Sequence, residues 1–275
     1  MLSRKRAAQD LSAERQEYIR RIKMRRRLIT FSRLAILLLF VGLWELLARL
    51  GVIDSFIMSQ PSRIAKTLAN VSENGLAWHV LVTCYETITG FLLGTITGTC
   101  IAVSLWWSGF LSKVSEPFLV VLNSLPKIAL GPVIIIWAGA GTRAIIVMAL
   151  AISLIVTVLE MLNGFRQTNT ELVRMAQTFG ADKRQIFVKI VLPYNMNTMF
   201  NTLKINIGLS LVGVISGEFL VSKAGLGYLI VYGGHVFQMD LVMTSVLILA
   251  VVAAVMYESV VLLQHLLERV VSHTQ

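Results

Sequence analysis

The chain has 275 residues, of which 56% are hydrophobic and 15% are charged, and its formal net charge is +10. Soluble domains average about 45–50% apolar and about 25% charged residues, so this composition excludes an ordinary soluble domain and indicates an integral membrane protein. Spans of about 20 residues leave room for roughly six helices and for no soluble domain of ordinary size. We therefore expect an all-α membrane protein.

The chain opens with a basic segment over residues 1–30. Two clusters, RKR at 4–6 and RRIKMRRR at 20–27, carry most of the excess charge and lie just before an apolar run. Such a segment is attracted to an anionic cytoplasmic leaflet, so we expect membrane lipid as its partner. Nucleic acid is the disfavoured alternative, because no aromatic residues interleave with these charges to stack on bases. The charged region is too long for a signal peptide, so we expect the first span to be retained.

Six apolar stretches follow, and each is long enough to cross a bilayer as a helix. The segment after the first stretch, 51–79, contains SRIAKTLANV, a pattern typical of a short amphipathic helix at the outer surface. The sequence predicts a single transmembrane domain over 31–270, with helices at about 31–50, 80–106, 117–138, 143–163, 195–221 and 241–266.

Glycines and prolines predict how two of these spans behave. Gly90, Gly94 and Gly98 recur every four residues in the second span, which lays a smooth stripe on one face and favours close helix packing. In the third span, Pro126 and Pro132 lie six residues apart. Proline removes a backbone donor and clashes with the preceding turn, so we expect the third span to be broken or kinked.

Lys and Arg residues are distributed unevenly between the two sides of the predicted helices. With a cytoplasmic N-terminus, eighteen of the 25 fall on the cytoplasmic side and five on the outer side. The positive-inside rule therefore predicts a multi-pass protein of the inner or plasma membrane with cytoplasmic N- and C-termini and a cytoplasmic segment over 164–193.

This cytoplasmic segment is the most informative part of the sequence. It includes ELVRMAQTFGADKRQIFVKIVLP at 171–193, which is polar but keeps hydrophobic residues at helical spacing. A segment of this kind cannot lie in hydrocarbon, so a helical loop on one side of the membrane is expected. The pattern resembles the EAA loop of ATP-binding-cassette (ABC) importer permeases, in which a central glycine precedes an isoleucine by ten residues, followed by leucine and proline: Gly180, Ile190, Leu192 and Pro193.

Three further stretches extend the resemblance over 31–270. They are LPKIALGPVIIIWAGAG at 125–141, VLPYNMNTMFNTLKINIGLSLVGVISGEF at 191–219 and AGLGYLI at 224–230, and they are similar to the nitrate, sulfonate and taurine branch of type I importer permeases. One position departs from the pattern. Arg174 stands where the motif has glutamate, and an acidic residue, Glu171, lies one turn earlier.

The resemblance implies a permease subunit that works with other proteins. It would pair with a second, identical permease copy, two ABC ATPase subunits and an extracytoplasmic substrate-binding protein that delivers a small solute. Sulfonate, taurine, nitrate and a pyrimidine precursor of thiamine are all compatible solutes. The chain has no G-x-x-x-x-G-K-[ST] motif, so we expect no catalytic residues and no cofactor in it, with ATP and Mg bound by the ATPase subunit.

The coupling loop (residues 164–193) would transmit motion between ATPase and permease. Small residues at Ala176, Gly180 and Ala181 are expected to leave room on one face of a short helix that seats in a cleft of the ATPase. Phe179 is the candidate apolar anchor for that cleft. The predicted coupling residues are Glu171, Arg174, Met175, Ala176, Phe179, Gly180, Ala181, Ile190, Leu192 and Pro193.

The fifth span carries a row of residues at alternating four- and three-residue steps, which share one helix face. Lys204 and Glu218 lie within this row and cannot face lipid without a large cost. We expect the row to face a second copy of the chain across the translocation path. This path row consists of Asn197, Asn201, Lys204, Gly208, Leu211, Ile215 and Glu218.

Other functions compete with an ABC permease. An ion-gradient-driven secondary transporter would use Glu45, Glu86 and Glu218 as proton or Na⁺ sites, but it would not explain the long cytoplasmic loop. A membrane enzyme would need a nucleophile and base set, which the sequence does not suggest. Cys84 and Cys100 are interpreted as buried thiols, and neither they nor the scattered histidines have metal-ligand spacing, so no metal site is expected.

Overall fold

The computed structural model describes residues 13–69 and 75–272, and the regular elements in these ranges are all helical. The basic cluster at 4–6 lies outside the described residues. The chain divides into two compact units, one ending at residue 66 and the other beginning at residue 67. The single transmembrane domain over 31–270 stays a prediction.

The first unit is built on one long helix, α1 (Ala13–Arg49), which continues through the RRIKMRRR cluster into the first apolar stretch. A four-residue helix, α2 (Ser55–Met58), is capped by Asp54, which accepts a hydrogen bond from the Phe56 N–H at 2.8 Å. The predicted surface helix is α3 (Pro61–Ala69), and Pro61 begins it because proline lacks the N–H that a first turn leaves unpaired.

Glu45 has partners in this unit. Its carboxylate accepts hydrogen bonds from the Arg49 side chain at 2.7 Å and from the backbone N–H of Ser62, in the first turn of α3, at 3.0 Å. Glu45 therefore binds the first turn of α3 and lies four residues from the end of α1.

Two irregular helical turns interrupt the helices of the second unit. They are a 3₁₀ turn at Lys127–Leu130 and a π-helical turn at Phe187–Val191. The π turn leads without a break into the next short helix. The helices are α4 (Leu76–Trp107), α5 (Gly109–Ser124), α6 (Gly131–Ala138), α7 (Thr142–Arg166), α8 (Thr170–Thr178), α9 (Lys183–Ile186), α10 (Leu192–Tyr194), α11 (Met196–Val221), α12 (Leu226–His235) and α13 (Met239–Ser272).

The number of membrane spans agrees with the sequence. By length and apolar composition, five described helices can cross a membrane: α1, α4, α7, α11 and α13. The pair α5 and α6 makes a sixth span when it is counted as one, and it bends by 88° at the break. Pro126 precedes the 3₁₀ turn and Pro132 lies at the start of α6, so the predicted break is confirmed. The span itself begins at Gly109 rather than at residue 117.

The core of the second unit is α7, which packs between α4 and α11. A Cβ atom added to Gly90 would lie 2.5 Å from the Ala149 Cβ, and one added to Gly98 would lie 2.6 Å from the Thr157 Cβ. On the other side, Gly213 of α11 approaches the backbone of Ala149 just as closely. The predicted packing role of the glycine stripe is confirmed, and its partner helix belongs to the same chain.

Candidate functional site

The coupling loop folds as two short helices separated by a tight turn. The Asn169 side chain caps α8 by accepting from the Glu171 N–H at 2.8 Å. Asp182 and Gln185 cap α9 reciprocally, since each side chain accepts a hydrogen bond from the backbone N–H of the other. This is a capping box, which fixes the direction in which a helix starts.

Gly180 allows the chain to reverse between these helices. Its φ of +79° lies in the left-handed region that favours glycine. The Gly180 N–H donates to the Gln177 carbonyl at 2.9 Å, and the Ala181 N–H donates to the Ala176 carbonyl at 3.0 Å. These two bonds form a Schellman motif, which terminates a helix at glycine. The central glycine of the motif therefore forms a bend of defined geometry.

The base of the loop is fixed to the transmembrane helices by aromatic packing. The Phe187 ring, in the π-helical turn, lies 4.9 Å from the Trp106 ring and 5.5 Å from the Phe165 ring, measured between centroids. The Lys183 ammonium donates to the Trp107 carbonyl at 2.6 Å. The buried cluster around these contacts consists of Ala102, Leu105, Val158, Met161, Leu162, Phe165, Ile186, Phe187 and Val191.

Asn195 closes the loop at its two ends. Its amide donates to the Thr168 hydroxyl at 2.8 Å and to the Val191 carbonyl at 2.8 Å, and Thr168 in turn donates to the Phe165 carbonyl at 3.0 Å. Asn195 and Thr168 are both buried. The start and the end of the loop are therefore linked to each other and to α7, which makes the loop a rigid extension of the membrane helices.

The outer surface of the loop differs from our expectation. Ala176 and Ala181 are partly buried and pack against the buried cluster, so these small residues cover the core of their own chain. The exposed apolar residues are Phe179, which is 84% exposed, and Met175, which is 52% exposed. The inward direction of Ala176 follows from helical spacing, because Val173 lies three residues earlier on α8 and packs on the same cluster.

The remaining coupling residues are distributed along the same loop. Glu171, Arg174 and Pro193 are exposed, whereas Ile190 and Leu192 are partly buried, and Leu192 packs on the buried cluster. Within the described part of the chain, the ion pairs do not include Arg174. The motif position that holds arginine in place of glutamate therefore points a positive charge outward.

The path row divides into two halves on α11. In the half towards Met196, Asn197, Asn201 and Gly208 are exposed, and a Cβ atom added to Gly208 would find no atom within 4 Å. Ile215, in the other half of the row, is partly exposed, and so is Lys204 in this half. This half of the row is an open polar strip on the surface of the subunit.

The other half of the row corrects our prediction, because Leu211 is 7% exposed and Glu218 is 1% exposed. Glu218 points into its own subunit, where it accepts from the Thr83 hydroxyl at 2.7 Å and from the Gly227 N–H at 2.5 Å. A seven-residue repeat drifts by about 20° per heptad on a straight helix. Three heptads separate Asn197 from Glu218, so the row rotates by roughly 60° towards the core.

Asn206 is a polar residue of α11 that the sequence analysis missed. It is fully buried and donates to the Thr157 hydroxyl of α7 at 2.5 Å and to the Thr95 hydroxyl of α4 at 3.2 Å. It lies two residues from Lys204, on a different face from the path row. The sequence held one signal for this contact. Ala149, Ser153 and Thr157 recur every four residues on α7, which matches the spacing of the glycine stripe on α4.

Comparison with known proteins agrees with this architecture. A family described as "Binding-protein-dependent transport system inner membrane component" matches residues 90–273, more than half of the chain. The chain belongs to this family. It is 31% identical to a probable ABC transporter permease protein of Haemophilus influenzae, over 83% of this chain and 94% of that protein.

Two further matches concern the branch and the fold. The chain is 24% identical to the putative aliphatic sulfonates transport permease protein SsuC of Bacillus subtilis, over 90% of each chain. Its fold matches that of a structure of the methionine ABC transporter MetNI in an inward facing conformation, with a TM-score of 0.63 and 17% identity, over 70% of this chain and 97% of that chain. Other relatives, at 22–27% identity, are named for formylaminopyrimidine, riboflavin, taurine and nitrate transport.

These findings confirm the predicted family, its nitrate, sulfonate and taurine branch, and the all-α membrane fold. The binding-protein-dependent permease is a multi-pass inner membrane protein and not an enzyme. Its family works with an ATPase subunit and a substrate-binding protein. The ion-gradient-driven alternative is therefore not supported.

Proposed function

We propose that this permease and a second copy of itself form a path through which a small anion crosses the membrane. A substrate-binding protein delivers the anion, and an ATPase subunit, which binds ATP and Mg, docks on the coupling loop. The observation that carries the proposal is the open polar strip of α11, which exposes Asn197, Asn201 and Gly208 beside the partly exposed Lys204. Polar groups facing lipid are costly, so the strip requires protein or water opposite it.

The charge of Lys204 supports an anionic solute. It is the charged residue of the open strip, and asparagine amides beside it can donate hydrogen bonds to a sulfonate or nitrate oxygen. Relatives of this permease named for aliphatic sulfonates, taurine and nitrate handle solutes with such groups. Formylaminopyrimidine and riboflavin, for which other relatives are named, do not carry a comparable anionic group.

Transport through this strip can be tested at Gly208. Gly208→Trp should reduce ATP-dependent uptake into proteoliposomes by at least about tenfold, because the added ring would enter the path, while no atom of the subunit lies within 4 Å of the new Cβ. Uptake of taurine, an aliphatic sulfonate and nitrate would be compared in the complete complex with its ATPase and binding protein. Gly208→Ala is the matched control and should transport normally. Full uptake by Gly208→Trp would refute the path assignment, and uptake of none of the three anions by the wild type would refute the solute class.

A second experiment tests the proposed orientation. Eighteen of the 25 Lys and Arg residues fall on the side that holds the coupling loop, so both termini are proposed to be cytoplasmic. Tags at residues 1 and 275 should resist external protease in spheroplasts, whereas a cleavage site inserted near Asn74, which lies outside the described residues, should be cut. Cleavage at either terminus in intact spheroplasts would contradict the proposed orientation.

A further inference from the structure

Two carboxyl groups lie side by side in the interior of the second unit. Glu86 on α4 is 0% exposed and Glu218 on α11 is 1% exposed. Thr83, one helical turn before Glu86 and on the same face of α4, donates a hydrogen bond to Glu218 at 2.7 Å, which places the two carboxyl groups close together. Within the described residues, the ion pairs do not include either of them. Two adjacent buried negative charges without a cation would be strongly destabilising, so the pair needs a positively charged ligand.

The hydrogen bonds of the two groups are unequal. The Glu218 carboxylate accepts from the Thr83 hydroxyl and from the Gly227 N–H in the first turn of α12. The N-terminus of a helix favours a negative charge, so this site suits an ionised Glu218. In contrast, neither carboxyl oxygen of Glu86 has a hydrogen-bond partner among the described residues.

A single proton would remove one of the two negative charges and would give Glu86 a hydrogen-bond partner. Two ionised carboxylates can only accept hydrogen bonds, whereas a protonated carboxyl is also a donor. We propose that Glu86 is protonated and donates a hydrogen bond to ionised Glu218, so that the pair is a proton-binding site built into the permease. The proton remains bound and is not part of the transported cargo.

The site would hold the connection between α11 and α12 in place. Cβ atoms added to Gly225 or Gly227 would overlap Glu218, so the glycines of the AGLGYLI stretch make room for this carboxylate. The Leu226 N–H donates to the Thr83 hydroxyl at 2.8 Å, and the Gly225 N–H donates to Nδ1 of His79 at 2.9 Å. Side chains of α4 and α11 therefore cap α12, and the shared proton would join the two sets of contacts.

The surrounding elements supply several other titratable or charged groups. None of them forms an ion pair with Glu86 or Glu218 within the described residues, and His79 acts as an acceptor through Nδ1. These groups are His79 and Cys84 on α4, Arg143 on α7, Lys223 in the connection, Tyr228, Tyr232 and His235 on α12, and Asp240 on α13.

The inference is tested on the purified full-length permease in lipid nanodiscs, without solute or ATPase, so its outcome is independent of the proposed path. Infrared spectroscopy at neutral pH should show a protonated carboxyl band that Glu86→Gln removes. Glu160→Gln, which alters an exposed carboxylate, is the control and should keep the band. A band that persists in Glu86→Gln, or is absent from the wild type, would overturn the proposal.

Thermal unfolding gives a second measurement. Raising the pH until the carboxyl infrared band disappears should lower the Tm of the wild type by roughly 5 °C, because two buried anions then face each other. Glu86→Gln keeps a donor at this position and carries no charge, so its Tm should change much less. Equal pH dependence in both proteins would contradict the assignment. A wild-type Tm that rises with NaCl but not with choline chloride would identify the ligand as Na⁺ and would also overturn it.

Discussion

Replacing Phe179 with alanine should weaken binding of the ATPase subunit while leaving the permease folded. The side chain is 84% exposed at the tip of a loop that is rigidly fixed at its base, so it contributes little to the core of its own chain. An aromatic anchor at the centre of an interface typically contributes about 2 kcal/mol or more, which corresponds to roughly 30-fold in affinity. The measurement is the dissociation constant of the ATPase subunit from permease in nanodiscs.

A control separates this effect from the general loss of an exposed aromatic side chain. Trp137, on α6, is 83% exposed and lies outside the coupling loop. Trp137→Ala should leave ATPase affinity unchanged, and both variants should elute as the wild-type permease does in size-exclusion chromatography. If both substitutions weaken binding equally, or if Phe179→Ala binds normally, the loop does not dock through Phe179.

Changing Gly213 to alanine should destabilise the fold more than any other single-methyl change on α11. The new Cβ would lie 2.6 Å from the Ala149 Cα and 3.0 Å from its backbone nitrogen, so backbone atoms of α7 would have to move. Overpacking of this kind costs about 1–3 kcal/mol, and we expect the upper end of that range because a rigid helix cannot yield locally. The Tm should fall by roughly 10 °C.

The matched control lies five residues away on the same helix. Gly208→Ala adds the same methyl group where no atom lies within 4 Å. Alanine is favoured over glycine inside a helix by about 0.5–1 kcal/mol, so the Tm should stay the same or rise. Thermal unfolding of both variants in detergent gives the comparison, and similar losses for both would show that α7 and α11 do not pack as described.

Several features could be predicted from the sequence because they depend on local chemistry. Apolar stretches of sufficient length predicted the spans, and the two prolines predicted the break in the third one, since proline cannot donate a backbone hydrogen bond. Gly180 was identified from its place in a motif, and its φ of +79° explains why glycine occupies it. The family followed from four stretches that lie between residues 125 and 230.

Other features depended on which helix faces pack against each other. The spacing of residues along the sequence does not specify the partner of a face. The glycine stripe of α4 predicted close packing, but its partner was decided by Ala149, Ser153 and Thr157 on α7, which carry a matching four-residue spacing. Ala176 and Ala181 are small, as the sequence shows, yet the direction they face was set by the buried cluster beneath the loop.

The path row shows most clearly what the sequence spacing decides and what the tertiary packing decides. The sequence by itself determined that Asn197, Lys204 and Glu218 recur close to one face of a helix. Only the tertiary structure decided that the Glu218 end of the row is buried, because α12 begins beside Glu218 and its Gly227 N–H donates a hydrogen bond to the carboxylate. The helix rotates the row by a small angle at each turn, and the neighbouring helices determine where along that rotation a side chain becomes buried.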